Sequence, residues 1–170
     1  MAVQILLAQV WTSANSSVRL FSENVIEDIE AKSDKASIAF NSGSGKIFVR
    51  IPIKSFKFDK KLMQEHFNEN YMESDKFPFA EFTGQIANKP DLSMEGTYQV
   101  VLKGTMTIHG VKKEVELPVN LTVSQDKIIG KSNFKVKCVD YNIEIPKIVV
   151  KNIAEEIELN VNAELKPYTK

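Results

Sequence analysis

The segment GTYQVVLKGTMTIHGVKKEVELPVNLTV, residues 96–123, carries the clearest structural pattern in this chain of 170 residues. Its first half has an apolar or small residue at every second position from Tyr98 to Ile108, and its second half repeats the alternation from Val115 to Val123. Successive side chains of a β-strand point to opposite faces, so each half predicts a strand with one apolar face. The turn at His109 and Gly110 between them predicts a long antiparallel hairpin.

The same alternation recurs along most of the chain. Further apolar runs lie at 25–31, 36–40, 47–53, 79–86, 128–138 and 157–165, after an opening run at 9–21 with a kink or turn at 13–17. Short turns separate the runs and no βαβ rhythm is present, which favours an antiparallel barrel or sandwich. Pro52 and Pro118 interrupt two of the runs. Proline cannot donate a ladder hydrogen bond, so both predict a bulge or an imperfectly closed seam.

One segment changes its period. Residues 60–73 carry apolar side chains at three-to-four spacing, among them Leu62, Met63, Phe67 and Tyr71, and predict a helix with Asp59 as its N-cap. The helix and the following Phe77-Pro-Phe79 predict a cap over one end of the barrel.

Composition excludes several classes of protein. Lys plus Arg and Asp plus Glu are balanced at 22 each, so charge predicts no nucleic-acid partner. No apolar run approaches the ~20 residues of a membrane-spanning helix, so stable membrane insertion is not expected. Cys138 is the sole cysteine, so no disulfide forms within the chain. We expect a single domain over 1–170, with 1–9 as either a signal remnant or a first strand.

No motif for catalysis or cofactor binding stands out. The run around Gly43 and Gly45 lacks the spacing of a phosphate-binding loop and reads as a hairpin turn. His66, His109 and Cys138 do not match a metal-site spacing, so neither a metal nor another cofactor is predicted. An acid-base enzyme that uses His109 with a nearby carboxylate is the least favoured hypothesis.

Three segments together carry a family resemblance: FPFAEF at 77–82, GTMTIHGVKK at 104–113 and VELPV at 115–119. In sequence and order they resemble the YceI-like domain family, and the similarity extends from about Val18 to Leu165. The resemblance implies an all-β fold, an extended eight-stranded antiparallel lipocalin-like barrel with one inserted helix. It also implies an apolar tunnel for a polyisoprenoid chain or another long-chain lipid, no catalytic activity, and a periplasmic or secreted protein, although the signal peptide is incomplete here.

With the resemblance, the phase of the strands and the helix predicts which side chains line the tunnel. They are Ile38, Phe40, Val49, Ile51, Leu62, Phe67, Tyr71, Phe79, Phe82, Tyr98, Val100, Leu102, Met106, Leu117, Val119, Phe134 and Val136. Arg50, Lys54 and Lys103 are candidates for contact with a lipid head group. The oligomeric state stays open, with a homodimer as one alternative. A competing hypothesis is a protein-interaction barrel with a closed core, in which large inward residues such as Phe40, Met106 and Phe134 meet at the axis.

Overall fold

The computed structural model describes residues 9–23, 28–144 and 156–169. The strands in this part of the chain are β1 (Val10–Ser22), β2 (Ile29–Ser33), β3 (Ser37–Asn41), β4 (Lys46–Pro52), β5 (Lys57–Phe58), β6 (Phe79–Ala87), β7 (Gly96–Ile108), β8 (Val111–Val123), β9 (Ile128–Lys137) and β10 (Glu156–Pro167). They pair antiparallel in the order β10-β9-β8-β7-β6-β4-β3-β1, and β1 pairs again with β10. These eight strands therefore form the closed antiparallel barrel that the resemblance implies.

The predicted central hairpin is confirmed. β7 and β8 pair without interruption from Gly96 opposite Val123 to Ile108 opposite Val111. The two residues of the turn have positive φ angles, 53° at His109 and 74° at Gly110. This backbone matches the right-handed twist of the flanking strands, which is why two-residue hairpins favour it.

The opening run forms one strand, β1, with a bulge at the predicted kink and no turn. Opposite β10, the register of β1 shifts between Ser13 and Asn15. An extra residue reverses which side chains point inward, because side chains alternate with a period of two. Trp11 before the bulge and Val18 after it are consequently both buried, although an even strand would place them on opposite faces.

β2 and β3 pair with the same edge of β1 and are separated by the bend at 34–36. Hydroxyl groups of β1 close this break in the ladder. Ser16 Oγ donates to the Ala36 carbonyl at 3.1 Å, and the Ile38 amide donates to Ser13 Oγ at 3.1 Å. The wall therefore stays hydrogen-bonded across the bend.

The predicted helix is present but shorter. α1 covers Lys61–His66 and continues as a π-helical turn over Phe67–Tyr71. The prediction of Asp59 as N-cap is wrong: Lys60 holds that position, because its carbonyl is the first to accept a helical hydrogen bond, from Gln64 N at 3.1 Å.

One end of the barrel is sealed by large side chains. Trp11, Leu92 and Ile128 are buried there, and Ile128 is completely inaccessible. The Trp11 indole N–H donates to Ser42 Oγ at 3.2 Å, which ties the ring to the β3–β4 turn. We call this the closed end, and the end that carries α1 and the β7–β8 turn the helix end.

Candidate functional site

The barrel is not solid. It surrounds a cavity of about 230 Å³ that runs from beside Phe40 and Leu165 toward Phe56, Phe67 and Met72 at the helix end. Its lining is almost entirely apolar and comes from the inward faces of the strands. An engineered cavity of ~150 Å³ with a similar lining is large enough to hold benzene. The space is therefore large enough for a small hydrocarbon group.

Most of the side chains predicted to line a tunnel are brought together around this cavity. They are Ile38, Phe40, Val49, Ile51, Phe67, Phe82, Val100, Leu102, Met106, Leu117, Val119, Phe134 and Val136. For the strand residues among them, this agreement follows from the period-two phase of β3, β4 and β6 to β9, which the sequence displays directly.

Two predicted lining residues lie on the surface. Phe79 is 41% exposed, and the Arg50 guanidinium lies 4.8 Å from its ring centre. Phe79 and the inward Phe82 are three residues apart in a strand, so they point to opposite faces and cannot both line the cavity. Leu62 is 63% exposed. It precedes the buried Phe67 by five residues, which turns it about 140° around the helix.

Tyr71 and Tyr98 are half-buried and pack against the core, but neither lines the cavity. Tyr71 lies in the π-helical turn, where burial raises the pKa of its hydroxyl. The hydroxyl of Tyr98 donates to the Met94 carbonyl at 2.6 Å, which holds it against the segment before β7. Because the Tyr98 hydroxyl binds a backbone carbonyl outside the cavity, the ring is held away from the interior.

The predicted lining omitted the residues of β1, of β10 and of the short connections, and some positions of β4 and of β6 to β9. Among them are Val18, Leu20, Ala36, Ile47, Ile53, Phe56, Met72, Ala80, Ile86, Ile108, Leu121, Gly130, Cys138, Ile143, Ile157, Leu159, Val161, Ala163 and Leu165. The alternation of β10 was visible in the sequence and would have found its members. The bulge in β1 reverses the phase of that strand, so no regular pattern points to Val18 and Leu20.

The three cationic candidates for a head group each form an ion pair with an acidic residue. Arg50 pairs with Glu81 at 2.7 Å, Lys54 with Asp75, and Lys103 with Glu116 at 3.2 Å. These pairs lie on the exposed outer wall, so none of the cations faces the cavity. Of the described residues at the cavity wall, only Glu81, Lys131 and Ser132 carry polar side-chain groups, apart from the Cys138 thiol, and Lys131 is exposed.

Glycines shape the inner wall in two different ways. Gly84 and Gly104 lie directly opposite each other in the β6–β7 ladder, and a Cβ atom on Gly104 would overlap the Thr83 carbonyl oxygen. Gly130 is different: a Cβ there would meet Leu121 Cδ2 at an ordinary 3.6 Å. The first pair permits close approach of the backbones, whereas Gly130 leaves space in the cavity.

His109 links three elements at the helix end and does not line the cavity. Its Nδ1 lies 3.0 Å from the Tyr141 carbonyl oxygen, and its Nε2 lies 2.6 Å from a carboxyl oxygen of Glu73. The ring is also 4.8 Å from Phe77 in an edge-to-face contact. The carboxylate predicted near His109 is therefore present, but both ring nitrogens are already bound to protein.

A closed eight-stranded antiparallel barrel around an apolar cavity defines a lipocalin-like protein. The model of the YceI-like domain matches residues 10–165, and this chain belongs to the YceI-like family. No curated protein matches it significantly in sequence.

Solved structures share the fold at low sequence identity. A polyisoprenoid-binding domain from Saccharophagus degradans superimposes with a TM-score of 0.81 at 13% identity, over 94% of this chain and 99% of its own. BcnA of Burkholderia cenocepacia gives 0.74 at 19% identity, over 88% and 95%. The YceI protein of Campylobacter jejuni gives 0.62 at 20% identity, over 100% and 90%.

Proposed function

We propose that this protein binds a long apolar lipid of the polyisoprenoid class, such as an isoprenoid quinone, in the barrel cavity, and that it carries or stores this lipid without changing it. The observation that supports this most directly is an apolar cavity inside a closed barrel. The S. degradans domain, which has the same fold, is a polyisoprenoid-binding domain by name.

The energetics suit a hydrocarbon chain. A dry apolar cavity needs no hydrogen bonds from its occupant, and each buried CH₂ group contributes about 0.8 kcal/mol. With Arg50, Lys54 and Lys103 paired on the outer wall, the polar head of the lipid stays outside the barrel. We therefore expect chain length and shape, more than head-group chemistry, to set affinity.

The two competing hypotheses are less well supported. A closed core would bring Phe40, Met106 and Phe134 into contact at the axis, but these side chains line a common cavity. Acid-base catalysis would need a free nitrogen on His109, and both nitrogens contact Tyr141 and Glu73. A non-enzymatic role is accordingly the one we propose.

A titration with a fluorescent C40 polyprenol tests the proposal. Gly130→Phe should lower the affinity at least tenfold, because Gly130 faces the cavity and its backbone accepts a Cβ. Thr122→Phe, which places the same ring on the exposed outer face of β8, should bind like the wild type. Equal affinity for Gly130→Phe and Thr122→Phe would exclude binding in the cavity.

We extend the proposal to a periplasmic or secreted location, which rests on the family resemblance. Fractionation of cells that express the full-length protein would test it, and recovery from the cytosolic fraction would contradict it. Light scattering of the lipid-loaded protein would distinguish a monomer from the homodimer that stays a prediction.

A further inference from the structure

The ladder between β8 and β9 opens along more than half of its length. Within the described residues these strands pair over Asn120–Val123 and Ile128–Lys131. β8 nevertheless continues back to Val111 beside β7, and β9 continues forward to Lys137 beside β10. The two strands therefore separate toward the helix end. We call the gap between 111–117 and 133–137 the side window.

Specific residues frame the side window. Pro118 lies where the pairing stops and lacks the amide that would continue it, and Ser132 Oγ donates to the Pro118 carbonyl at 2.6 Å. At the wide end, the His109 ring contacts the Tyr141 carbonyl and so joins the β7–β8 turn to the 3₁₀ helix Cys138–Tyr141 after β9. The gap thus has an apex, two strand edges and a base.

The other breaks in the wall are bridged in the middle. Ser13 and Ser16 bind the backbone across the bend between β2 and β3. Ser33 and Ser55 share a 2.6 Å hydroxyl contact across the break beside β4 and β5. In the side window, Ser132 closes the apex, and below it no ladder pair between described residues joins β8 to β9.

The inward side chains of β9 and β10 beside the side window are only partly buried. On the opposite wall Ile38 and Phe82 are buried, whereas Ile47 and Val49 of β4 are half-exposed. Inward side chains beside the side window, such as Phe134, Val136 and Leu159, line the cavity and are half-exposed. The apolar side chains at this edge of the cavity are therefore incompletely covered.

Cavity size makes this opening relevant to ligand binding. Scaled from a ~150 Å³ cavity that holds benzene, a cavity of about 230 Å³ holds roughly nine carbon atoms. A polyisoprenoid of several prenyl units is larger and must extend out of the barrel. The closed end is sealed by Trp11 and Ile128, and the helix end is lined by Phe56, Phe67 and Met72.

From these observations we infer that the side window between β8 and β9 is the site through which the lipid chain enters and leaves, and along which the part that exceeds the cavity is bound. The inference rests on the proposed function. The half-buried apolar side chains along the edges of β8 and β9 would then favour the binding of long lipid chains over short ones.

Cross-linking across the side window tests the inference. In a Cys138→Ala background, Glu116→Cys and Lys135→Cys place exposed thiols on facing edges of β8 and β9, where a bismaleimide can join them. The control joins Lys103→Cys to Glu116→Cys, which lie opposite each other in the intact β7–β8 ladder. Binding of a C40 polyprenol and of the C10 alcohol geraniol is then measured for each of the two variant proteins before and after cross-linking, and for the wild type.

The inference predicts that the window cross-link lowers polyprenol affinity at least tenfold and leaves geraniol affinity unchanged, while the control cross-link changes neither. Polyprenol binding equal to that of the control would overturn it. So would an equal loss of both ligands, because the cross-link would then act on the cavity itself. If the wild type binds neither ligand, the proposed function fails and the inference fails with it.

Discussion

Gly104 shows how a missing side chain lets two backbones approach inside the barrel. A Cβ atom there would overlap the Thr83 carbonyl oxygen and the Gly84 Cα, both of which are backbone atoms and cannot rotate away. We predict that Gly104→Ala lowers the free energy of unfolding by about 3 kcal/mol, since overpacking of this kind forces the strands apart. Urea denaturation measures the loss.

Gly130→Ala is the matched control, because its Cβ would make an ordinary contact with Leu121. It should change the free energy of unfolding by less than about 1 kcal/mol. If Gly104→Ala and Gly130→Ala were equally stable, the close approach of β6 and β7 would be wrong.

Cys138 lies in the cavity wall, so the reactivity of its thiol can show whether the cavity is occupied. Its thiol is buried in the lining, and burial raises the pKa of the thiol above its ordinary value. The thiolate is the reactive form, so we predict slow alkylation by N-ethylmaleimide at pH 7 and a rate that rises with pH through the alkaline range. Bound polyprenol should slow alkylation further because it occupies the space beside the thiol. Mass spectrometry follows the reaction over time.

The neighbouring Val139 supplies the control, since it is 73% exposed. In a Cys138→Ala background, Val139→Cys should react quickly, with or without polyprenol. A rate at Cys138 that does not change when polyprenol is added would place the lipid elsewhere.

At the scale of elements, His109 holds the helix end together. It bridges Glu73 after the helix and Tyr141 after β9, and its φ of 53° favours a residue that tolerates left-handed backbone. We predict that His109→Ala lowers the free energy of unfolding by about 2 kcal/mol. Two hydrogen bonds are lost, and alanine tolerates the positive φ angle less well than histidine does. His109→Asn, which accepts this backbone, should lose less.

His66→Ala is the comparison for this prediction. His66 ends α1 and is half-buried, outside the contacts that join the three elements. Its replacement should have an effect within about 0.5 kcal/mol. Equal stability of the His66→Ala and His109→Ala proteins would show that the bridge contributes nothing.

The sequence predicts elements well where one physical rule acts alone. The β7–β8 hairpin is readable because the alternation is strict and the His109-Gly110 turn favours positive φ. The β1 bulge is only partly predictable: the polar run at 13–17 predicts a kink or turn, but not that one extra residue between Ser13 and Asn15 reverses the phase of the strand. The predicted N-cap of the helix is one residue too early. Aspartate is a favourable N-cap residue, but the first carbonyl that accepts a helical hydrogen bond is that of Lys60, not Asp59.

At the scale of the molecule, closure of the barrel determines the cavity volume, which no local sequence pattern can predict. The inward rows of β3, β4 and β7 to β9 were predictable from their alternation. The volume that they enclose depends on which strands close the barrel. β1 and β10 close it, and their paired residues Trp11 and Pro167 are 156 positions apart in the sequence. Pro118 indicated an imperfect seam, and the structure places it where β8 and β9 separate. The sequence could not show that the gap extends beside the cavity.

The described residues contain no helix long and apolar enough to cross a membrane. A carrier of this kind would have to bring its cavity to a bilayer to exchange lipid. We expect polyprenol to pass to phosphatidylcholine vesicles more slowly from the window-cross-linked protein than from the β7–β8 control, as fluorescence transfer would show. Equal transfer rates would mean that the lipid leaves by another route.

Lipid binding in the cavity is tested most directly by mass spectrometry of the organic extract from protein purified without detergent, run beside Gly130→Phe. We predict a lipid with a long hydrocarbon chain, near one molecule per wild-type barrel, and a strongly reduced amount from Gly130→Phe. A wild-type protein that carries no lipid and does not take up added polyprenol, or the same lipid recovered in equal amount from Gly130→Phe, would contradict it.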